Sequence, residues 1–254
     1  MFADTLHLFN KYLKISLRTP LWSLFNLIQP LIWLVIFGQL FRNMAQLPGF
    51  PAGSYMDFFV PGVLIMTVLF GSSWSGVSLL REITAGTVDK MLVAPISRIS
   101  IVLSRILHSA VQVMIQALII LVVAAAIGTS VSSSPFSIVA GLIVIFLLGV
   151  GFAALSNGFA IMIQREEPLV VIGNLMTLPL MFFSTAMVPA SFMPDWISKL
   201  AAVNPINYAV EAVRTTMIGG PFDGSIYFQG LLVVTLFAAA TLYWAVSAFN
   251  GLRD

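Results

Sequence analysis

From Ile106 to Gln164 the chain contains no Asp, Glu, Lys or Arg. A helix that crosses the hydrocarbon core of a bilayer needs about 20 such residues, at roughly 1.5 Å each. The stretch is long enough for two crossings, and Thr129-Ser130-Val131-Ser132-Ser133-Ser134-Pro135 supplies the turn between them. The rest of the chain agrees: 59% of its 254 residues are hydrophobic and 9% are charged, where soluble domains carry about 25% charged residues. The mean hydropathy is +1.01. So little polar surface cannot coat a water-soluble globule, and irregular backbone is not tolerated against lipid. The expected class is an all-α integral membrane protein.

Charge-free stretches place the helices. Six spans are predicted, at 19–41, 58–80, 106–128, 136–164, 168–189 and 226–250, in a single transmembrane domain over 1–254. Residues 1–18 lack the apolar core and small-residue site of a cleavable signal. Leu6, Phe9, Leu13 and Leu17 alternate there with Lys11, Lys14 and Arg18, as in a helix lying along a membrane surface. Six spans put both termini on one side. Assigning that side to the cytoplasm places nine cations inside and leaves Arg42, Lys199 and Arg214 outside, as the positive-inside rule requires. Between the last two spans, prolines at 189, 194, 205 and 221 cut a segment too apolar for a solvated loop. Short re-entrant helices over 190–220, dipping into the outer leaflet, are expected.

One charged island interrupts the apolar sequence. Over 82–96, Ile83, Val88, Met91, Leu92 and Ile96 can share one helical face, with Glu82, Asp89 and Lys90 opposite. Gly86-Thr87 offers an entry turn with a capping hydroxyl, and Pro95 a stop. Such a helix either rests on the membrane or docks into a groove on a soluble partner. Polar residues inside spans form three stripes: Trp22, Asn26, Gln29 and Trp33; Arg105, His108, Gln112 and Gln116; and Asn174, Thr177, Met181 and Thr185. Each stripe lines a pathway or ties helices together by hydrogen bonds. Glu211 and Arg214 are spaced to pair on a helix.

Arg81-Glu82, Gly86-Thr87, Asp89, Leu92 and Pro95 resemble the cytoplasmic segment after the second span of ABC-transporter permeases of the drug and polysaccharide exporter type. A second stretch resembles that family's fifth span and outer hairpin. It comprises Asn174-Leu175, Pro179-Leu180, Phe183-Ser184, Pro189, Phe192-Met193-Pro194, Trp196, Asn204-Pro205-Ile206-Asn207-Tyr208 and Glu211-Ala212-Val213-Arg214. Drug-resistance permeases that pair with a separate ATPase look nearest.

The resemblance implies a permease subunit of a bacterial plasma-membrane exporter, working as a dimer with a second permease copy and an ABC ATPase subunit that binds Mg-ATP. No phosphate-loop motif occurs, so the chain is not expected to be an enzyme or to bind a cofactor or metal. It implies ATPase coupling through Glu82, Gly86, Thr87, Asp89, Lys90 and Leu92. Asn26, Gln29, Trp33, Asn174, Thr177 and Met181 become pathway candidates, and Trp196, Asn204, Pro205, Tyr208, Glu211 and Arg214 belong to the outer hairpin. The cargo is expected to be an amphipathic drug or a lipid. The alternatives are polysaccharide or another glycoconjugate on the same architecture, or an ion-gradient-driven transporter. Acids near span ends only, and no basic face for phosphate backbones, disfavour an ion-coupled site and a nucleic-acid partner.

Overall fold

In the computed structural model, residues 2–93, 96–132, 134–218 and 222–251 are described; the side chains of 20–24, 92, 98 and 250 are not. Ten α-helices run along these residues. They are α1 (Phe2–Arg18), α2 (Pro20–Leu40), α3 (Tyr55–Thr84), α4 (Thr87–Val93), α5 (Arg98–Ile127), α6 (Pro135–Ile163), α7 (Glu166–Phe182), α8 (Asp195–Ala201), α9 (Pro205–Met217) and α10 (Gly224–Asn250).

Four of them, α3, α5, α6 and α10, are long and apolar enough to cross a membrane. The described apolar part of α2 is shorter, Phe25–Leu40, and α7 has 17 residues, about 25 Å of helix. The segment predicted to span 168–189 therefore ends its helix at Phe182. Asn204 explains the stop: its Nδ2 donates to the carbonyls of Leu180 (2.6 Å) and Phe183 (2.7 Å), groups that the end of a helix leaves without partners.

The bundle is organised around α6, which packs against α3, α5, α9 and α10. Small residues allow the closest approach. Ser156 Oγ accepts from the Gly76 amide (3.0 Å) and donates to the Ser73 carbonyl (2.5 Å). Asn157 donates to Ser75 Oγ at 2.8 Å. A Cβ on Gly76 would run into the Ser156 carbonyl oxygen. Polar contacts of this kind bind helices where water-driven burial cannot.

The outer helices keep apolar side chains on the outside: Ile32 and Ile36 on α2, Leu175 and Phe182 on α7, Phe228 and Leu236 on α10. Aliphatic and aromatic side chains standing outward on this scale mark lipid or protein contact. One end of the bundle carries Lys11, Lys14, Arg18, Arg81, Lys90 and Arg105, and is called the basic end below. Its core joins Leu8 and Tyr12 of α1 to Leu79, Val88, Ile101, Ala154 and Phe249.

Candidate functional site

Near the basic end, α2 and α7 both pack on α3. Between them lies a cavity of about 260 Å³. Phe25, Asn26 and Gln29 wall it from α2, and Leu169, Val170, Gly173 and Asn174 from α7. Its floor is Phe70, Gly71, Ser73, Trp74 and Val77 of α3, where the small residues leave the room. Three of the six pathway candidates thus meet: Asn26, Gln29 and Asn174.

The other three lie elsewhere. Trp33 stacks on Phe37 with centroids 4.6 Å apart and packs against the core. Thr177 is buried, its hydroxyl 3.4 Å from Ser73 Oγ, and Met181 is a core residue. Met181 does share the stripe of Asn174. Two turns farther along, however, that stripe is closed off in the core. The α3 floor is not legible in the sequence, because Gly71 and Ser73 belong to a small-residue run that equally signals packing.

A second cavity, of about 230 Å³, adjoins the first through Asn26, Gly71 and Trp74. Around it, Arg105 is 4% exposed and forms an ion pair with Glu82. Tyr12 donates to Glu82 Oε2 (3.1 Å), and the Arg105 guanidinium lies 4.8 Å from the Tyr12 ring centre. Ser16 Oγ and His108 Nε2, 2.9 Å apart, bind α1 to α5. Glu82 lies in the last turns of α3, and its carboxylate neutralises a buried guanidinium of its own chain.

The island is accordingly two helices and a turn. Gly86, at φ +67°, makes the left-handed corner, a conformation in which glycine is least strained. Its carbonyl accepts the first bond of α4 from the Lys90 amide at 3.4 Å, so Gly86 holds the capping position and Thr87 is the first helical residue. Val88 and Met91 are buried in the basic-end core, with Ile83 and Ile96 against it. Asp89 and Lys90 are exposed, and Val93 is 90% exposed. The Leu92 side chain and the predicted stop at Pro95 lie outside the described residues. At the start of α7, Glu166 takes Arg81 in a two-pronged ion pair (3.0 and 3.2 Å).

At the opposite end, the hairpin residues form a knot against α7 and α3. Glu211 and Arg214 pair at 2.5 Å, as their spacing predicts. Arg214 also donates to the carbonyls of Thr185 (2.8 Å) and Phe58 (3.2 Å) and lies 4.0 Å over the Phe58 ring. Asn207 Oδ1 accepts from the Thr185 amide at 3.0 Å. Asn204 caps α9 through the Ile206 amide (3.0 Å), with Pro205 in the first turn. Tyr208 donates to the Ala202 carbonyl (2.7 Å), and Trp196, 60% exposed, meets Phe183 edge to face.

Apolar helices sheathed in outward aliphatic side chains, with a cavity that gathers Asn26, Gln29 and Asn174 between two of them, make a multi-pass membrane protein. The chain belongs to the ABC-2 type transporter family, which matches residues 4–218. A protein of Cyanophora paradoxa named as the transport permease ycf38 is 32% identical over 216 residues, covering 84% of this chain and 74% of its own. The doxorubicin resistance ABC transporter permease protein DrrC of Mycobacterium tuberculosis is 27% identical over 220 residues, 86% of this chain and 78% of its own. The daunorubicin resistance permease DrrB1 of Streptomyces coeruleorubidus is 22% identical over 218 residues, 85% and 76% respectively. The chain is thus a transporter permease, a type of subunit whose ATPase activity resides in a separate one.

Proposed function

We propose that this chain is the permease subunit of an ATP-driven exporter in a bacterial plasma membrane, moving amphipathic drugs or lipids outward as a dimer. In this reading α2, α3, α5, α6, α7 and α10 are the six spans, both termini are cytoplasmic, and α8–α9 enter the outer leaflet. The observation that carries it is the seating of α4. Its apolar face is buried in the basic-end core while Asp89, Lys90 and Val93 are exposed. A helix seated by one face with an exposed polar and apolar tip suits docking into a groove on the ATPase subunit. Nucleotide-driven closure there would move α3 and α5 as levers. The cavity between α2 and α7 is the pathway surface, with Asn26, Gln29 and Asn174 as its polar contacts.

The test is co-reconstitution with an ABC ATPase in liposomes, comparing wild type with Asp89→Ala, Lys90→Ala and Val93→Asp. Complex formation and substrate-stimulated ATP turnover should fall at least tenfold, at unchanged thermal stability. Transport that follows an imposed proton or sodium gradient without nucleotide would overturn the proposal.

A further inference from the structure

The cavity beside Arg105 has a second neighbour, on its α1 and α5 side. Through Ser16, His108 and Gln112 it adjoins a slot of about 230 Å³. The slot is walled by Leu13, Leu17, Leu27, Val111, Ile115 and Ile119. Leu17, Ile115 and Ile119 are 71%, 46% and 38% exposed, so the slot opens on the outer surface of the bundle. An aliphatic slot open to lipid therefore runs into a chamber of hydroxyl, imidazole, amide and guanidinium groups.

The chamber has a donor to spare. Arg105 pairs with Glu82 and donates to Ser78 (3.4 Å), yet its buried Nε has no acceptor among the described residues. A buried donor without an acceptor is costly, and more so on a charged group. Glu82, the carboxylate in the chamber, is already engaged by Arg105 and Tyr12. On the outward side of α1, Lys11, Lys14 and Arg18 line a surface groove that meets the chamber at Ile15. The ligand that matches all three features has an aliphatic tail, a hydrogen-bond-accepting head and negative charge.

We propose that slot and chamber together hold one anionic glycerophospholipid, an acyl chain between α1, α2 and α5 and its phosphate at Ser16, His108 and Arg105. The occupant comes from the leaflet at the basic end. Its tail enters sideways past Ile115 and Ile119, and its head lies beneath α1, at the end of the bundle that carries the cations. Since the chamber also adjoins the α2–α7 cavity through Asn26 and Trp74, the lipid fixes how far the first half of α2 stands from α3 and α5. The site rests on membrane embedding alone, and ATP-driven transport is no premise of it.

The test uses the purified full chain in dodecyl maltoside, without ATPase or nucleotide, so its failure is separate from failure of the exporter reading. Native mass spectrometry would follow retention of phosphatidylglycerol and, in a parallel titration, phosphatidylcholine. Wild type should keep one phosphatidylglycerol per chain and at least fivefold less phosphatidylcholine. Ile119→Trp and Ile115→Trp, each filling the slot from its exposed wall, should lower retention tenfold or more. Val139→Trp, on α6 and 54% exposed, should leave it unchanged. Equal retention in wild type and both slot variants, equal loss in Val139→Trp, or equal retention of phosphatidylcholine would overturn the proposal.

Discussion

Glu82→Ala tests whether the island's first acidic residue serves the fold. The Arg105 side chain is 4% exposed and that of Glu82 22%, and the two form an ion pair. Removing the carboxylate alone strands a guanidinium among Tyr12, Ser78 and His108 and takes the acceptor from the Tyr12 hydroxyl. Breaking a buried pair from one side costs about 3–5 kcal/mol. Because water reaches Glu82 in part, the lower figure applies. A loss of about 3 kcal/mol shifts the folded-to-unfolded ratio on the order of 150-fold, at about 1.4 kcal/mol per decade. The assay is reversible unfolding in mixed dodecyl maltoside and dodecyl sulfate micelles, followed by tryptophan fluorescence.

Glu82→Ala combined with Arg105→Met should recover most of the loss, since an apolar pair of similar volume often replaces a buried ion pair without penalty. Asp89→Ala, at an exposed position on α4, should change stability by less than about 0.5 kcal/mol. A Glu82→Ala protein within about 0.5 kcal/mol of wild type, or a double variant no better than the single one, would refute the buried-pair account. It follows that lost transport in Glu82→Ala alone would say nothing about contact with a partner, whereas loss in Asp89→Ala would.

Two further outcomes follow from the packing. Gly76→Ala forces α3 away from the Ser156 carbonyl and should cost about 1–3 kcal/mol in the same assay; Gly173→Ala, whose added carbon would meet nothing nearer than Ser73 Cβ at 4.0 Å, should not. Burial is the main influence on the Tyr12 phenol and pushes it from 10.0 up to about 12, against the pull of Arg105 and with a smaller push from Glu82. The unfolded chain therefore loses this proton first. The stability that the protonated Tyr12 phenol contributes is fully present below pH 10, declines as pH rises from there and is gone above about 12. A spectrophotometric titration of wild type minus Tyr12→Phe should show a midpoint near 12, and a midpoint near 10 would refute the burial.

The amino-acid sequence by itself determined the class of this protein and most of its helices. An uncharged run from Ile106 to Gln164 has no other stable home than a membrane, and the turn at 129–135 follows from Ser and Pro chemistry. Glu211 and Arg214 could be paired from spacing because both lie on one helix, where three residues make neighbours.

What only the tertiary structure decided is everything that depends on which helix stands beside which. Asn26, Gln29 and Asn174 come from distant segments, and a helical stripe says which way a residue faces but not what it faces. Glu82 read as a surface charge because its neighbours in sequence are charged, while its partner Arg105 lies a helix away. The seventh helix stops at Phe182 because Asn204, more than twenty residues on, takes its last carbonyls. Local periodicity carries the inside and outside of each helix, since those are set by the solvent on either side. The meeting of polar groups across helices is set by crossing geometry and small-residue contacts such as Gly76 against Ser156, which leave no period in the chain.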